Sequence, residues 1–299
     1  MRSISKRSKL ALLLLGAFGL GASCVVGGYY LKQILAGDGE NPGADALREM
    51  YSGSQDEWPE PNVAPGREVE PLAALPPPDY PKDNPYSPEK EKLGEKLFSD
   101  PRLSASGQHA CASCHAPELG WADGQQTSFG HDRQQGNMNA PTIVNAAYLD
   151  ELFWDGRADS LEQQALASLS NPIEMAADPG SAAERIGKVG AYREKFRSLF
   201  GGGVTSQRIA KVLATFVRAQ TMRNTPFDHF MRGQRNALDD QELRGLHVFR
   251  TKARCMNCHQ GPNLTDGEFH HLGTSFWGVG NDEGRYAVTE KPDDFGTFR

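Results

Sequence analysis

The apolar positions of this chain follow a helical period over five stretches. Within each stretch they recur at intervals of three and four residues, which places them on one face of a helix. The first stretch opens at Ser87-Pro88, where a serine cap precedes a proline at the first helical position. The others span residues 159–169, 182–200, 206–222 and 239–249. Because no alternating pattern of any length indicates a strand, the sequence predicts a mainly α fold.

The N-terminus carries a different pattern, a continuous apolar run. Leu10 to Leu31 contains 22 residues without a charge and follows four basic residues. This length matches the roughly 20 residues that span a bilayer, whereas the core of a cleaved signal peptide is usually about 7–15 residues long. We therefore expect residues 1–36 to be an uncleaved membrane anchor, with the rest of the chain exported. Cleavage of a signal peptide and lipidation of Cys24 stay open as alternatives.

Prolines dominate the stretch between the apolar run and the first helix. Residues 37–86 have little apolar surface to bury, and proline favours extended backbone. The composition predicts a Pro-rich linker that becomes a segment wrapping the surface of the folded part.

The net charge of the chain bears on which partner molecules it could bind. A net charge of −6 at pH 7 gives no reason to expect nucleic acid. A mildly acidic surface would suit a small basic partner protein. With 38% apolar and 23% charged residues, most of the chain is expected to be globular.

Two cysteine motifs carry the most specific chemical signal. They read Cys111-Ala-Ser-Cys114-His115 and Cys255-Met-Asn-Cys258-His259. This spacing suits two thioether bonds to haem, with the adjacent histidine as proximal iron ligand. Zinc would need four ligands in one compact site, and a redox dithiol of the thioredoxin type belongs in a strand–helix context. The motifs therefore predict two covalently bound haem c groups.

The surroundings of the two motifs form an internal repeat. A helix ending in Phe98 precedes the first motif, and one ending in Phe249 precedes the second. A Pro-x-Leu segment and then Asp-Gly follow each histidine. The repeat predicts two cytochrome c-like haem domains, an N-terminal one at 87–225 and a C-terminal one at 226–299.

Several longer motifs extend the pattern beyond the cysteines. They are Ala110-Cys-Ala-Ser-Cys-His115, Asn139-Ala-Pro-Thr-Ile-Val-Asn-Ala-Ala147, Phe153-Trp-Asp-Gly-Arg-Ala158, Asn171-Pro-Ile-Glu-Met175 and Cys255-Met-Asn-Cys-His-Gln-Gly-Pro-Asn-Leu-Thr-Asp266. With these motifs, the chain from about residue 85 onward resembles the bacterial di-haem cytochrome c peroxidase family, which includes the MauG-like enzymes. The resemblance implies that hydrogen peroxide is reduced at the N-terminal haem. Electrons would come from a small periplasmic donor, a cytochrome c or a copper protein, and pass through the C-terminal haem.

The resemblance also implies roles for individual residues. His115 and His259 match the proximal ligands and His131 the removable distal ligand of the first haem. The remaining matches are Glu174 to the distal acid–base residue, Gln164 to its polar neighbour, Trp154 to a tryptophan between the haems, and Asn139 to a ligand of a calcium ion. From the sequence alone, other roles are more frequent for these residue types. Glu174 would be a carboxylate at a helix start, Gln164 a solvated helix residue and Trp154 a core aromatic.

The resemblance leaves several points open. The family's second-haem ligand, a Met or Tyr, comes after the Asp294–Arg299 stretch, so we expect the C-terminal domain to be incomplete here. The alternatives are a MauG-like protein-modifying oxidase, which a ligating His131 would disfavour, and a non-enzymatic electron carrier. The expected location is the periplasmic side of the bacterial inner membrane, and a homodimer is compatible with the family.

Overall fold

The computed structural model describes residues 42–273 and 282–299, and these are mainly helical. The helices are α1 (Ala44–Met50), α2 (Pro88–Phe98), α3 (Leu161–Ser170), α4 (Pro179–Gly187), α5 (Gly190–Phe200), α6 (Ser206–Ala219), α7 (Pro226–Met231), α8 (Asp240–Thr251) and α9 (Tyr286–Thr289). Extended residues within the described ranges pair only as isolated bridges and build no strand. The predicted mainly α fold is confirmed.

The described chain divides into two compact units. The smaller unit contains residues up to Val69 together with Gly233–Asn257, and the larger contains Glu70–Arg232 and Cys258–Arg299. These units follow packing contacts, whereas the predicted domains 87–225 and 226–299 follow the sequence repeat. The predicted domain boundaries stay a prediction.

Helix α6 is the centre of the larger unit. Its predicted apolar stripe is buried, and both α2 and α3 pack against it. The approach of α2 is so close that a Cβ on Gly94 would lie 2.1 Å from the carbonyl oxygen of Val212. Only glycine allows these two backbones to meet at this distance.

The ends of the helices follow their capping residues. Ser87 accepts a hydrogen bond from the Lys90 amide at 3.1 Å, as its position before Pro88 predicted. The predicted helix over 182–200 is wrong in one respect, because it is two helices, α4 and α5. The chain leaves helical geometry at Val189, which has φ −81° and ψ 114° between Gly187 and Gly190. Glycine and β-branched valine disfavour the helix, and apolar periodicity does not register this.

The proline-rich stretch contributes to both units. In the smaller unit α1 packs against α8, and Leu47, Tyr51 and Trp58 are buried. In the larger unit Leu72 and Leu75 are buried. The described part of the predicted linker thus supplies core residues to the folded units.

The membrane prediction concerns residues that the structure does not describe. No helix within 42–273 and 282–299 combines the length and apolar character that crossing a bilayer requires. The predicted anchor, residues 1–36, lies outside the described ranges, as does the candidate lipidation site Cys24.

Candidate active site

The first cysteine motif begins with a single helical turn. Cys111–Ser113 forms a 3₁₀ turn, and the Cys111 carbonyl accepts from the amides of Cys114 at 3.1 Å and His115 at 3.0 Å. The turn holds both thiols and the imidazole on one short segment. Burial raises the pKa of the Cys111 thiol to about 12, so the free thiol stays neutral. Neither Cys111 nor Cys114 is in a disulfide, which leaves both for thioether bonds.

The His115 ring is fixed by a backbone carbonyl. Its Nδ1 lies 3.1 Å from the oxygen of Trp121, and since a carbonyl only accepts, Nδ1 is the donor. With Nδ1 as donor, Nε2 is the nitrogen that carries the lone pair for iron. Burial lowers the pKa of His115, which favours the neutral ligand form. The rings of Phe98 and Trp121 also pack together beside it, with centroids 6.0 Å apart.

The second motif orients its histidine in the same way. The Nδ1 of His259 lies 3.0 Å from the oxygen of Leu264, and the Asp266 amide donates to the Cys258 carbonyl at 2.9 Å. Trp121 and Leu264, whose carbonyls accept from the two histidines, both have left-handed backbone, with φ of 63° and 53°. The donor sets of both motifs therefore fit a covalently bound haem with a histidine ligand.

Glu174 lies in a turn close to the first motif. The Asn171 side-chain amide donates to its Oε1 at 2.7 Å, and the amides of Met175 and Ala176 donate to the Asn171 carbonyl. Burial and then the charge of Asp123 raise the pKa of Cys114, and the charge of Glu174 adds a smaller contribution in the same direction. It also acts on the pKa of His115. The carboxylate is therefore within electrostatic range of two residues of the first motif.

His131 is docked onto the Glu174 turn by its backbone. Its amide donates to the carbonyl of Ile173 at 2.7 Å and to that of Glu174 at 3.0 Å. A Cβ on the neighbouring Gly130 would lie 2.1 Å from the Ile173 oxygen, so this approach requires glycine. The Nδ1 atom of His131 is buried and has no hydrogen-bond partner among the described residues. The other ring nitrogen, Nε2, lies 3.4 Å from the Asp132 carboxylate. A buried ring nitrogen without a partner fits an imidazole that takes an iron ligand role.

Trp154 and Asn139 are joined to each other. The indole Nε1 donates to the Asn139 carbonyl at 2.9 Å, and the Asn139 side chain donates to the Gln125 carbonyl at 2.5 Å. Sequence reasoning gave these two residues separate roles, an electron relay and a calcium ligand. Both roles stay predictions. The hydrogen bond shows only that the position of Trp154 depends on that of Asn139.

Gln164 has a partner other than the predicted one. Its amide donates to Ser168 at 3.0 Å, one turn further along α3. The structure thus does not join it to Glu174 by a hydrogen bond. Its role as polar neighbour of the acid–base residue stays a prediction.

Sequence reasoning missed the residues that hold the Trp154 loop. Arg285 donates to the carbonyls of Asp155 and Gly156 at 2.9 and 2.8 Å, and its guanidinium lies 4.4 Å from the Phe269 ring centroid. The Arg299 amide donates to the Trp154 carbonyl at 3.1 Å. The Asp-x-Gly-x-Phe-Arg motif ending at Arg299 was visible in the sequence, but its contact with a loop far away in the chain was not.

The comparisons with known proteins agree on one family. A model of the di-haem cytochrome c peroxidase family matches residues 88–236. The cytochrome-c peroxidase IdrP1 of Pseudomonas sp. (strain SCT) is 37% identical over 260 residues, which cover 77% of this chain and 69% of that relative. The methylamine utilization protein MauG of Methylophilus methylotrophus is 38% identical over 196 residues, which cover 64% of this chain and 58% of that protein.

A solved structure shows the same similarity. The crystal structure of a MauG-like protein associated with microbial copper homeostasis has a TM-score of 0.69 to this chain at 31% identity. The match covers 76% of this chain and 72% of the other. The chain spans 58% to 69% of the length of the two curated relatives above.

Proposed function

Because this chain belongs to the di-haem cytochrome c peroxidase family, we propose that it reduces hydrogen peroxide to water with electrons from a small donor protein. The family implies two c-type haems, one on each cysteine motif. Each turnover consumes one peroxide, two electrons and two protons and yields two water molecules. Peroxide is reduced at the motif of His115, and electrons enter at the motif of His259.

The observation that supports the proposal is the electrostatic effect of Glu174 on Cys114 and His115 of the first motif. When bound, the first haem supplies the redox centre at which the O–O bond breaks. Glu174 moves the proton, taking it from the nearer peroxide oxygen and giving it to the departing one. Asn171 donates to Oε1 and so orients the carboxylate, which leaves Oε2 as the oxygen for proton transfer.

His131 controls access to the same site. While its loop is docked on the Ile173 and Glu174 carbonyls, its imidazole would be held as a ligand of the first haem and would compete with peroxide. Release of the loop would remove that competition and also free two carbonyls of the turn that carries Glu174. Loop position and catalytic readiness are therefore linked through hydrogen bonds of the backbone.

Electron delivery forms the finer part of the proposal. Trp154 relays electrons between the two haems, and its hydrogen bond to the Asn139 carbonyl fixes the indole plane. A calcium ion held in part by Asn139 would stabilise that arrangement, since carbonyl and carboxylate oxygens are its usual ligands. The donor is a cytochrome c or a copper protein of the periplasm, where residues 1–36 anchor the chain.

A second candidate function is protein modification of the MauG type. The 38% identity to MauG of Methylophilus methylotrophus supports it. The two functions differ in the oxidised state, because a His131 that ligates the first iron closes it to small ligands. Binding of cyanide to the fully oxidised chain without prior reduction would favour the MauG-like function, and its exclusion favours the peroxidase.

The decisive experiment compares two carboxylate substitutions by stopped-flow peroxide reduction with the chain half-reduced. Glu174→Gln keeps the shape but cannot accept a proton, so turnover should fall by about 10²-fold or more. The matched control Glu118→Gln removes an exposed carboxylate three residues after His115 and should keep wild-type turnover. Covalent haem content should be equal in all three proteins. Wild-type turnover in Glu174→Gln would refute the catalytic role.

A further inference from the structure

A charged side chain is buried next to the second cysteine motif. Arg250 lies in the last turn of α8 and is only 4% exposed. Its Nη1 lies 3.8 Å from the sulfur of Met256, the residue between Cys255 and Asn257 in the motif. Met256 itself is 1% exposed, so water does not separate the guanidinium from the motif.

The contacts of Arg250 are neutral. Nη2 donates to the Pro59 carbonyl at 3.0 Å, and the guanidinium lies 5.3 Å from the Trp58 ring centroid. The charge of Arg250 also acts on the buried phenol of Tyr51. The Nε atom of Arg250 is buried and has no hydrogen-bond partner within the described part of the chain.

No carboxylate of the described residues forms an ion pair with Arg250. Among the causes that shift its pKa, the one carboxylate is Glu60, whose side chain is exposed to solvent. Burial lowers the pKa of Arg250, but the guanidinium stays charged at neutral pH. A positive charge that is buried and uncompensated exerts a stronger field than one at the surface.

We propose that Arg250 raises the reduction potential of the haem attached to Cys255 and Cys258. Oxidised haem iron carries one more positive charge than reduced iron, so a fixed cation nearby favours the reduced form. Met256 transmits no charge, but it keeps the guanidinium at a fixed place beside the motif. The inference rests on the second haem of the proposed function, not on peroxide turnover. It makes the second haem the better electron acceptor from a donor.

The experiment is a spectroelectrochemical titration of both haems in the full-length holoprotein. In Arg250→Gln, one of the two couples should shift down by about 59 mV, which is a tenfold change for one electron. The other couple is the internal reference and should not move. In Arg250→Lys, which keeps the charge, both couples should stay near wild type at neutral pH or below.

Arg235 offers a matched control. Its guanidinium lies 5.3 Å from the same Trp58 ring and donates to the Ser52 and Gly53 carbonyls. Arg235 precedes α8, whereas Arg250 lies in the last turn of that helix, next to the motif. Arg235→Gln should leave both couples unchanged. Unchanged couples in Arg250→Gln, or an equal shift in Arg235→Gln, would overturn the inference.

A further comparison covers the case in which Arg250→Gln does not fold. A buried lysine loses its proton more readily than an exposed one, so one couple of Arg250→Lys should fall below wild type as pH rises. Absence of that divergence would refute the inference. Shifted potentials without peroxide turnover in wild type would refute only the peroxidase function.

Discussion

The two haem motifs orient their histidines with the same backbone contact, but the residues around them differ. In each, a residue with left-handed backbone, Trp121 or Leu264, presents its carbonyl to the proximal histidine. Left-handed geometry costs a residue other than glycine roughly 1–2 kcal/mol. That both motifs retain it indicates that orienting the histidine requires this conformation. Ligation is therefore encoded locally.

The side chains packed around these two histidine–carbonyl contacts differ. Trp121 lies in a cluster with Phe98 and Phe216, at centroid distances of 6.0 and 5.7 Å, whereas Leu264 is 39% exposed. The buried arginines differ in the same way. Arg218, two residues after Phe216, is paired with Glu162 at 2.6 and 2.7 Å, whereas no described carboxylate forms an ion pair with Arg250 beside the second motif. In the proposed function, these different surroundings let similar ligand geometry serve peroxide chemistry at one haem and electron transfer at the other.

The largest effect should come from replacing the two carbonyl-bearing residues by glycine. Glycine adopts left-handed backbone freely, so the change keeps the carbonyl in place for the histidine and removes only the side chain. Trp121→Gly should destabilise the holoprotein by about 3 kcal/mol, because the lost ring packing outweighs the relief of strain. Leu264→Gly should change stability by less than about 1 kcal/mol.

Guanidinium unfolding midpoints of the two variants and of Leu264→Ala provide the measurement. Leu264→Ala keeps the left-handed strain and should be the less stable of the two Leu264 variants. Equal losses for Trp121→Gly and Leu264→Gly would show that packing does not distinguish the motifs.

A smaller effect should come from the paired arginine. Burial favours the neutral acid, but hydrogen bonds from Arg218 and Asn84 outweigh it and lower the pKa of Glu162. Because its pKa is lower in the folded state, the ionised Glu162 stabilises the fold at pH values above its pKa in the unfolded chain, about 4.3. That stability is lost as pH falls through the pKa of the folded state. Glu162→Gln should therefore cost about 2 kcal/mol at pH 7.

The difference from wild type should shrink as pH falls below about 4.3, because the unfolded chain is protonated there first and the folded carboxylate follows at its lower pKa. Glu184→Gln, an exposed carboxylate of α4, should show little loss at any pH. Thermal unfolding from pH 3 to 7 checks this. A loss in Glu162→Gln that stays constant with pH would mean that shape rather than charge is important at this position.

The sequence predicted the features that depend on near neighbours. Ser87-Pro88 and Asp239 mark helix starts that the structure confirms, because capping is a contact over three residues. The two cysteine motifs are likewise local. The break at Val189 was missed because periodicity reports which side chains are apolar, not whether glycine and valine allow the backbone to continue.

Contacts between distant segments were beyond sequence reasoning. The docking of His131 on the Glu174 turn joins residues about 43 apart, and the hold of Arg285 on the Asp155 and Gly156 carbonyls spans 130 and 129 residues. These contacts depend on tertiary packing. The spacing of apolar residues predicts helices, but it does not show which distant segments contact each other. The family resemblance supplied the roles of His131 and Glu174, but not their backbone link.

The smallest expected effect concerns the loop that has no described counterpart at the second motif. Asp132 and Arg133 of this loop both have left-handed backbone, with φ of 52° and 59°. The Gln134 side chain opposes their strain by donating to the carbonyls of His131 and Pro172, both at 3.2 Å. The docked loop is therefore a balance between backbone strain and a few hydrogen bonds.

Two exposed substitutions should move this balance in opposite directions. Arg133→Gly relieves strain and should stabilise the docked loop by about 1 kcal/mol, a roughly fivefold change. Gln134→Ala removes the two hydrogen bonds and should loosen it by a similar amount. Hydrogen exchange at the His131 amide measures loop opening directly, because that amide is bonded only when the loop is docked. Arg133→Lys, which keeps the strained backbone, should exchange like wild type. Exchange that changes in the same direction in Arg133→Gly and Gln134→Ala would rule out the balance, and protection of His131 would then have to come from packing alone.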